Sequence, residues 1–446
     1  MEDAGGRVYN KRYSQNISDG DMVTLTRKFV IKPCQQQEAV LWELAETCRL
    51  LYNHALAERK YLYKNYNYRV TYREQQNALP QLKGLFPRYK QVYSKVLQMT
   101  LKKVDAAYKS FYGLLKSGDT TTCPPTYRGK DYFFTLCYNQ SGFSITKNMI
   151  RFSHKHPEKV ELSFSVPFDF TTTRVKQVEI FQDRYDQQFY VAVTFEETEP
   201  PYIDNGLYQA FDLGITKHTA VNSYGKFLET AVKRPDKYWQ GRIQSLQQRK
   251  DRCKNGSRRY RLFRQRLRTI QRKCADQTKD WQHKQSKKLL KNTKANTLIV
   301  GDLSVKQMAT SKRKGRKQKY QTSINRGVHN TGHLGRFVEF LTYKAKLLGK
   351  KVIVIDERGT TKTCAFCGHK KEQLPLFERV YHCEICGVVI DRDQNSAINI
   401  MKRFLSHNAL CTGYQQFMLV VGNLRHTVNG KTTVSRSSVV MGSAIS

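Results

Sequence analysis

Acid is scarce in this chain: 77 Lys and Arg stand against 37 Asp and Glu, a formal net charge of +40 over 446 residues. A chain so basic repels itself. Its partner is expected to be a polyanion, because nucleic-acid phosphates release counterions when Lys and Arg replace them. RNA, DNA or both would serve, and a ribosomal or chromatin-like protein without chemistry would carry the same charge. Long apolar runs are missing too. No stretch of about 18 consecutive apolar residues offers a membrane span, and the N-terminus lacks the apolar core of a secretory signal, so a soluble protein inside a cell is expected. Disulfide pairing is equally poorly supported. The eleven cysteines are odd in number and only four fall into Cys-x-x-Cys pairs, which favours a reducing compartment and bound metal.

The length suits two or three domains. Residues 1–20 are polar and aperiodic, a disordered leader. Thr24 to Lys32 alternates like a strand and stops at Pro33. From Gln35 the residues Leu41, Leu44, Ala45, Cys48, Leu51, Tyr52 and Ala55 recur at threes and fours, the mark of an amphipathic helix, and helix continues to about Lys116. Between Thr120 and Glu199 short alternating runs return, among them Val160 to Val166, Val178 to Phe181 and Gln188 to Phe195. The pattern predicts a β-barrel from 21–34 and 120–200, interrupted by a helical lobe over 35–119. A second, α/β unit begins near Tyr202.

From Pro235 to Lys294 the residues Tyr260, Phe263, Leu267, Ile270 and Cys274 step along one helix face while Arg, Lys and Gln fill the rest. A basic face of one sign suits phosphate contact, as does the cluster Lys312, Arg313, Lys314, Arg316, Lys317 and Lys319. That cluster also suits a nuclear signal. Residues 411–446 are expected to be a flexible tail, Ser, Thr, Gly and Val rich from about Thr412.

Four cysteines carry the strongest local signal. Cys364-x-x-Cys367 and Cys383-x-x-Cys386 are each followed by glycine, Gly368 and Gly387. Two such knuckles brought together make a tetrahedral four-thiolate site, a structural zinc ribbon over 359–389. With four protein ligands no position stays open for catalysis.

Acidic residues punctuate the α/β unit. Asp212 lies in Phe211-Asp212-Leu213-Gly214, on a strand before a tight turn; Asp302 ends the apolar run from Leu298; Asp356 and Glu357 end another; Asp391 and Asp393 open a helix. Strand and helix ends converging on one sheet edge could hold Mg²⁺, which takes hard oxygen ligands, and a pair of ions about 4 Å apart serves phosphodiester hydrolysis.

These segments together resemble the TnpB family of transposon-encoded nucleases and the related Fanzor proteins and type V CRISPR effectors. The resemblance rests on Phe211-Asp212-Leu-Gly-Ile, Asp302-Leu-Ser-Val-Lys-Gln-Met308, Tyr343-Lys-Ala345, Thr361-Lys-Thr-Cys364 with the ribbon, and Asp391-Arg-Asp393-Gln-Asn395-Ser-Ala-Ile-Asn-Ile400. It implies an RNase H-like (RuvC) nuclease domain over 201–358 and 390–410, with the N-terminal barrel as a wedge and the helical lobe as a recognition lobe. It implies an RNA-guided DNA endonuclease that binds a guide RNA from the transposon end, reads a target-adjacent motif and cuts double-stranded DNA at a single site. Two Mg²⁺ and one structural Zn²⁺ are the implied cofactors. A monomer on its RNA is the implied assembly, and a prokaryotic cytoplasm or a nucleus the compartment.

By the resemblance Asp212 is the first catalytic carboxylate and Asp393 the third, with Asp391 close by. The second departs from the usual pattern. Most relatives place a glutamate immediately before the Asp-Leu-x-Val stretch, where this chain has Gly301; Fanzors and some TnpB proteins carry one before the first ribbon cysteine, where Glu357 stands. A carboxylate from the next strand can reach the same ions, since strands lie about 4.8 Å apart. Asp302, one residue from Gly301, would face the opposite side. Two other readings remain: a guided DNA-binding repressor that does not cut, and a transposase with a metal-binding His pair and a nucleophilic Tyr. For the latter, His154-Lys155-His156 has the wrong central residue and is expected on the surface.

Overall fold

The computed structural model describes residues 22–119, 121–171, 173–302, 334–375, 378–408 and 411–429. The leader, the basic cluster at Lys312–Lys319 and the last residues of the tail lie outside these. The chain divides into two compact units, Thr24–Glu197 and the residues from Thr198 onward.

In the first unit β1 (Met22–Ile31) leads through Pro33 into α1 (Gln35–Tyr66), whose stripe of Leu41, Leu44, Cys48, Leu51 and Ala55 is buried. The helix ends at Asn67, in the left-handed region at φ 51°. Helices α2 (Tyr72–Asn77), α3 (Leu79–Leu85) and α4 (Ser94–Lys116) follow. Six strands complete the unit: β2 (Leu136–Asn139), β3 (Phe143–Thr146), β4 (Met149–Phe152), β5 (Leu162–Ser165), β6 (Arg174–Gln182) and β7 (Phe189–Thr198). In place of one closed ladder they form two sheets, β1-β7-β6-β2 and β3-β4-β5, over a shared core with α1 and α4. His156 is not on the surface: it is buried, and its Nε2 lies 2.9 Å from Glu43 Oε2, while His154 is half-buried with its Nε2 2.7 Å from the Val160 carbonyl oxygen. Both rings have structural partners, and period-two alternation could not foresee a carboxylate reaching them from α1.

The second unit is built on a five-stranded mixed sheet of order β10-β9-β8-β11-β12. Its strands are β8 (Tyr208–Leu213), β9 (Lys217–Asn222), β10 (Phe227–Ala231), β11 (Thr297–Asp302) and β12 (Lys351–Asp356). β8, β11 and β12 run parallel, and β9 and β10 return antiparallel beside β8. α5 (Pro235–Asp251) and α6 (Arg258–Asn292) form a basic helical hairpin before β11, and α7 (Leu334–Lys346) precedes β12. After β12 come β13 (Val380–His382) and β14 (Val389–Asp391), then α8 (Arg392–His407) and α9 (Cys411–Asn429).

Alternation splits the sheet cleanly. Tyr208, Ala210 and Ile299, with Ile353 and Ile355, pack against Ile398, Met401 and Phe404 of α8. Phe211, Leu213, Leu298 and Val300 face Leu289, Leu290, Phe337 and Leu341 of α6 and α7. β11 is buried as its apolar run predicts, whereas β12 is an edge strand with Val354 half exposed; a continuous Val/Ile run does not distinguish the two. The expected flexible tail needs correction, because Cys411–Asn429 is helical. Phe417 and Val421, one turn apart, are buried in the α8 core. Gly225, at φ +72° in the β9–β10 turn, lies against Val420 with no room for a Cβ. Composition hid this helix behind Ser, Thr and Gly; its spacing of apolar residues was the available signal.

Candidate functional site

Strand parity brings the acidic residues together. Asp212 shares the α8 face of β8 with Tyr208 and Ala210. On the neighbouring parallel strand Val300 pairs with Phe211, and Gly301 pairs with Ile355 of β12. Glu357 follows Ile355 by two residues, so Asp212, Gly301 and Glu357 fall on one face at the carboxyl ends of three parallel strands. Asp302 belongs to the other face. It is exposed and pairs in register with Asp356.

Gly301 is where the local chain departs from an ordinary strand. A Cβ built there would lie 3.0 Å from both Cβ and Cδ of Glu357 and closer still to its Oε2. Glu357 therefore fills the volume into which any side chain at 301 would project. Its Oε2 is buried and has no hydrogen-bond partner among the described residues.

The third acid arrives from α8. Asp391 is the N-cap, its side chain accepting from the amides of Asp393 at 2.8 Å and Gln394 at 3.3 Å. Asp391 is therefore occupied as a cap. Asp393, in the first turn, is buried; its Oδ2 lies 2.9 Å from Arg379 Nη2 and 3.9 Å from Lys217 Nζ. Lys217 also bridges Asp391 and Glu229, both at 2.9 Å.

The carboxylates perturb one another. Burial pushes Asp212 up to about 7, assisted by the charge of Asp393 and opposed by a hydrogen bond from Ser396. Burial likewise takes Glu357 to about 7, with Asp212 the next cause. Asp393 is also raised by burial, against the pull of Arg379. Three acids drawn together, Asp393 buried and Asp212 and Glu357 half-buried, repel one another, and a buried carboxylate oxygen with no donor among the described residues is costly. A hard divalent cation answers both conditions, so the residues fit Mg²⁺. Among the described residues the only His, Cys, Asp or Glu group drawn within 4.8 Å of one another is the four cysteines.

The cysteine cluster is Cys364, Cys367, Cys383 and Cys386. Both knuckles close alike. Gly368 N donates to Cys364 O at 3.1 Å and Gly387 N to Cys383 O at 2.9 Å, with the two glycines at φ +78° and +66°. α8 holds the first knuckle directly: buried Asn395 accepts from Ala365 N at 2.8 Å and donates to Thr363 O at 2.8 Å, and Asn399 donates to Thr360 O at 2.8 Å. The Thr360 and Ser396 hydroxyls meet at 3.0 Å. The ribbon is thus tied to the helix that carries Asp393 and to the serine that bonds Asp212.

The structure sets Asp212 and Glu357 on one face of the sheet and Asp393 in the first turn of the helix that covers it, and leaves Asp302 on the other face. Sequence reading missed Lys217, Arg379 and Ser396. For Ser396 the signal was its place three residues after Asp393, on the same face of α8. Lys217 and Arg379 had none, being two basic residues among many.

A mixed sheet closed by a helix across the acidic strand ends, with a four-cysteine ribbon between its last strand and that helix, defines the RNase H-like class with an inserted metal ribbon. Three family models match: "Probable transposase" over residues 190–312, the TNB domain of Cas12f1-like proteins over 335–400, and a helix-turn-helix domain over 22–68, which here is β1 and the single helix α1. A Streptomyces pristinaespiralis protein named "Putative RNA-guided DNA endonuclease" is 25% identical over 86% of this chain and 90% of its own. "Putative RNA-guided DNA endonuclease InsQ" of Escherichia coli is 24% identical over 84% and 90%. A TnpB-like protein of Acanthamoeba polyphaga mimivirus is 32% identical over 33% of this chain and 26% of its own. The fold is similar to that of a Cas12f1–sgRNA–target DNA complex at TM-score 0.54 and 14% identity, covering 82% of this chain and 83% of that one. Over these segments the chain is similar to proteins of the TnpB/IS605 family.

Proposed function

We propose that the protein is a transposon-associated, RNA-guided DNA endonuclease that hydrolyses phosphodiester bonds with Mg²⁺ at a single RuvC-like site. The relatives' names and the family models support the class of activity. The observation that carries cutting, rather than binding alone, is the Glu357 carboxylate standing over Gly301 on the face of Asp212. It supplies an acid where the chain lacks one at the preceding strand.

In this reading Asp212, Glu357 and Asp393 hold two Mg²⁺, which supply positive charge and acidity for attack on a phosphodiester. Asp393 is buried and Asp212 and Glu357 are half-buried, which limits the water that can reach the same ions. The Ser396 hydroxyl beside Asp212 opposes the effect of burial on its carboxyl, and Arg379, Lys217 and Arg392 surround Asp393. The four cysteines hold one structural Zn²⁺, with no ligand position left for catalysis. The +40 charge fits a guide RNA transcribed from the transposon end and target double-stranded DNA. The first unit serves as wedge (21–34 and 120–200) and recognition lobe (35–119), acting as a monomer on RNA inside the cell.

The test is to copurify the chain with its RNA, sequence that RNA, and supply matched duplex DNA with Mg²⁺. Cleavage dependent on guide match is the expected result. Tight binding that leaves the duplex intact would instead support a guided repressor.

A further inference from the structure

The first unit ends α1 in an aromatic surface that the nuclease reading leaves unused. From Arg59 to Arg73 the chain carries Tyr61, Tyr63, Tyr66, Tyr68 and Tyr72 with five Arg or Lys and no acid. Tyr61, Tyr63, Tyr66 and Tyr68 are exposed, between 49% and 67%. Soluble proteins rarely spend so many large rings on water in one place. Tyr66, in the last turn of α1 before the αL residue Asn67, meets Tyr61 edge to face at 6.2 Å. The cations share the surface with the rings: Lys60 Nζ lies 4.6 Å from the centre of exposed Tyr127, and the Arg69 guanidinium 5.9 Å from that of Tyr63. Arg59, 3.4 Å from Asp105, sets the end of α4 alongside, where exposed Tyr112 stacks on Tyr108 at 6.1 Å.

We infer that the segment Lys60–Arg73 is a stacking platform for unpaired nucleotides of RNA. Flat rings accept bases of any sequence, and cations placed among them meet the phosphates between successive bases. A duplex would hide its base faces, so the ligand is single-stranded. RNA suits better than DNA because folded RNA presents unpaired bases in loops and bulges. A protein partner would gain little from a segment this uniformly basic. The inference rests on the RNA-guided reading and deepens it, adding a site for guide nucleotides that pair with nothing.

The test compares the full chain with two triple variants, Tyr61→Ser/Tyr63→Ser/Tyr66→Ser and Tyr61→Phe/Tyr63→Phe/Tyr66→Phe, in binding an oligouridylate across a salt series. The serine variant should lose about tenfold or more in affinity at every salt concentration, the scale of one or two stacked bases. The salt slope should stay unchanged because no charge is removed, and the phenylalanine variant should bind as the parent. Equal binding by the serine variant would overturn the platform. So would a loss confined to single-stranded DNA, or a change only in the protein's own oligomeric mass. If the tyrosines govern RNA binding but no guided cleavage is found, the platform stands and the endonuclease reading falls; guided cleavage with RNA binding indifferent to the tyrosines gives the reverse.

Discussion

Gly301 and Glu357 share a single site: the space a side chain at 301 would enter is occupied by the Glu357 carboxylate, with Glu357 Cβ and Cδ 3.0 Å from an ideal Cβ on Gly301. The two positions therefore exclude one another. A chain that takes its acid from the end of β12 requires glycine on β11, and a chain with an acid on β11 has no room for this rotamer of Glu357.

Gly301→Ala tests that exclusion with one methyl. Its backbone is not in the left-handed region, so the substitution adds little strain of its own, and the carboxylate must move instead. DNA cleavage should fall by on the order of 10- to 100-fold, the scale of losing the support of a metal ligand, while the melting temperature changes little. An alanine variant that cleaves like the parent would show that Glu357 can leave this position without consequence.

Ser396→Ala removes a hydroxyl that holds Asp212 down against burial. The Asp212 carboxyl should then titrate higher still, and the Mg²⁺ concentration for half-maximal cleavage at neutral pH should rise roughly 10- to 100-fold. Binding of RNA and target should be untouched. A Mg²⁺ titration that does not shift would remove Ser396 from this role.

Asp212 and Glu357 both titrate near 7, above their unfolded values near 4. In the metal-free protein the folded state therefore holds extra protons. The stability they contribute is complete below about pH 4 and is lost as pH rises through about 7. Mg²⁺ binds the ionised forms, so protons compete with it, and its stabilising effect should be larger at pH 8 than at pH 6. Thermal melts with and without Mg²⁺ at the two pH values check the sign; equal shifts would mean that these acids do not take the ion.

Zinc removal should act through structure. Asn395 and Asn399 anchor α8 to the first knuckle, so Cys383→Ser or chelation should lower the melting temperature and disorder the helix that carries Asp393. Excess Mg²⁺ should not restore it. Recovery of full activity by Mg²⁺ alone would contradict a purely structural ribbon.

Much of the site was legible before the fold, for physical reasons. Cysteine spacing states its own geometry, and the Leu-Gly turn after Asp212 marks the end of its strand. Strand parity was enough to turn Asp302 away from Asp212. The same reasoning fell short where a property belongs to the neighbours. Glu357 could be named by its position before the ribbon, but its fit over Gly301 needs the register of two strands far apart in sequence. β12 reads like β11, and only strand order makes one an edge. His156 looked exposed because its partner, Glu43, lies on another element. Cys411–Asn429 was hidden by composition although Phe417 and Val421 already held helical spacing.

The most direct measurement compares guided cleavage by three proteins, each copurified with its RNA: the parent, Glu357→Gln, and Gly301→Glu/Glu357→Ala. Glu357→Gln should bind guide and target as the parent does and lose on the order of 10³-fold in cleavage, the scale of several kcal/mol of transition-state charge stabilisation. The double variant, with its acid returned to β11, should recover much of that loss. Full cleavage by Glu357→Gln would contradict the account.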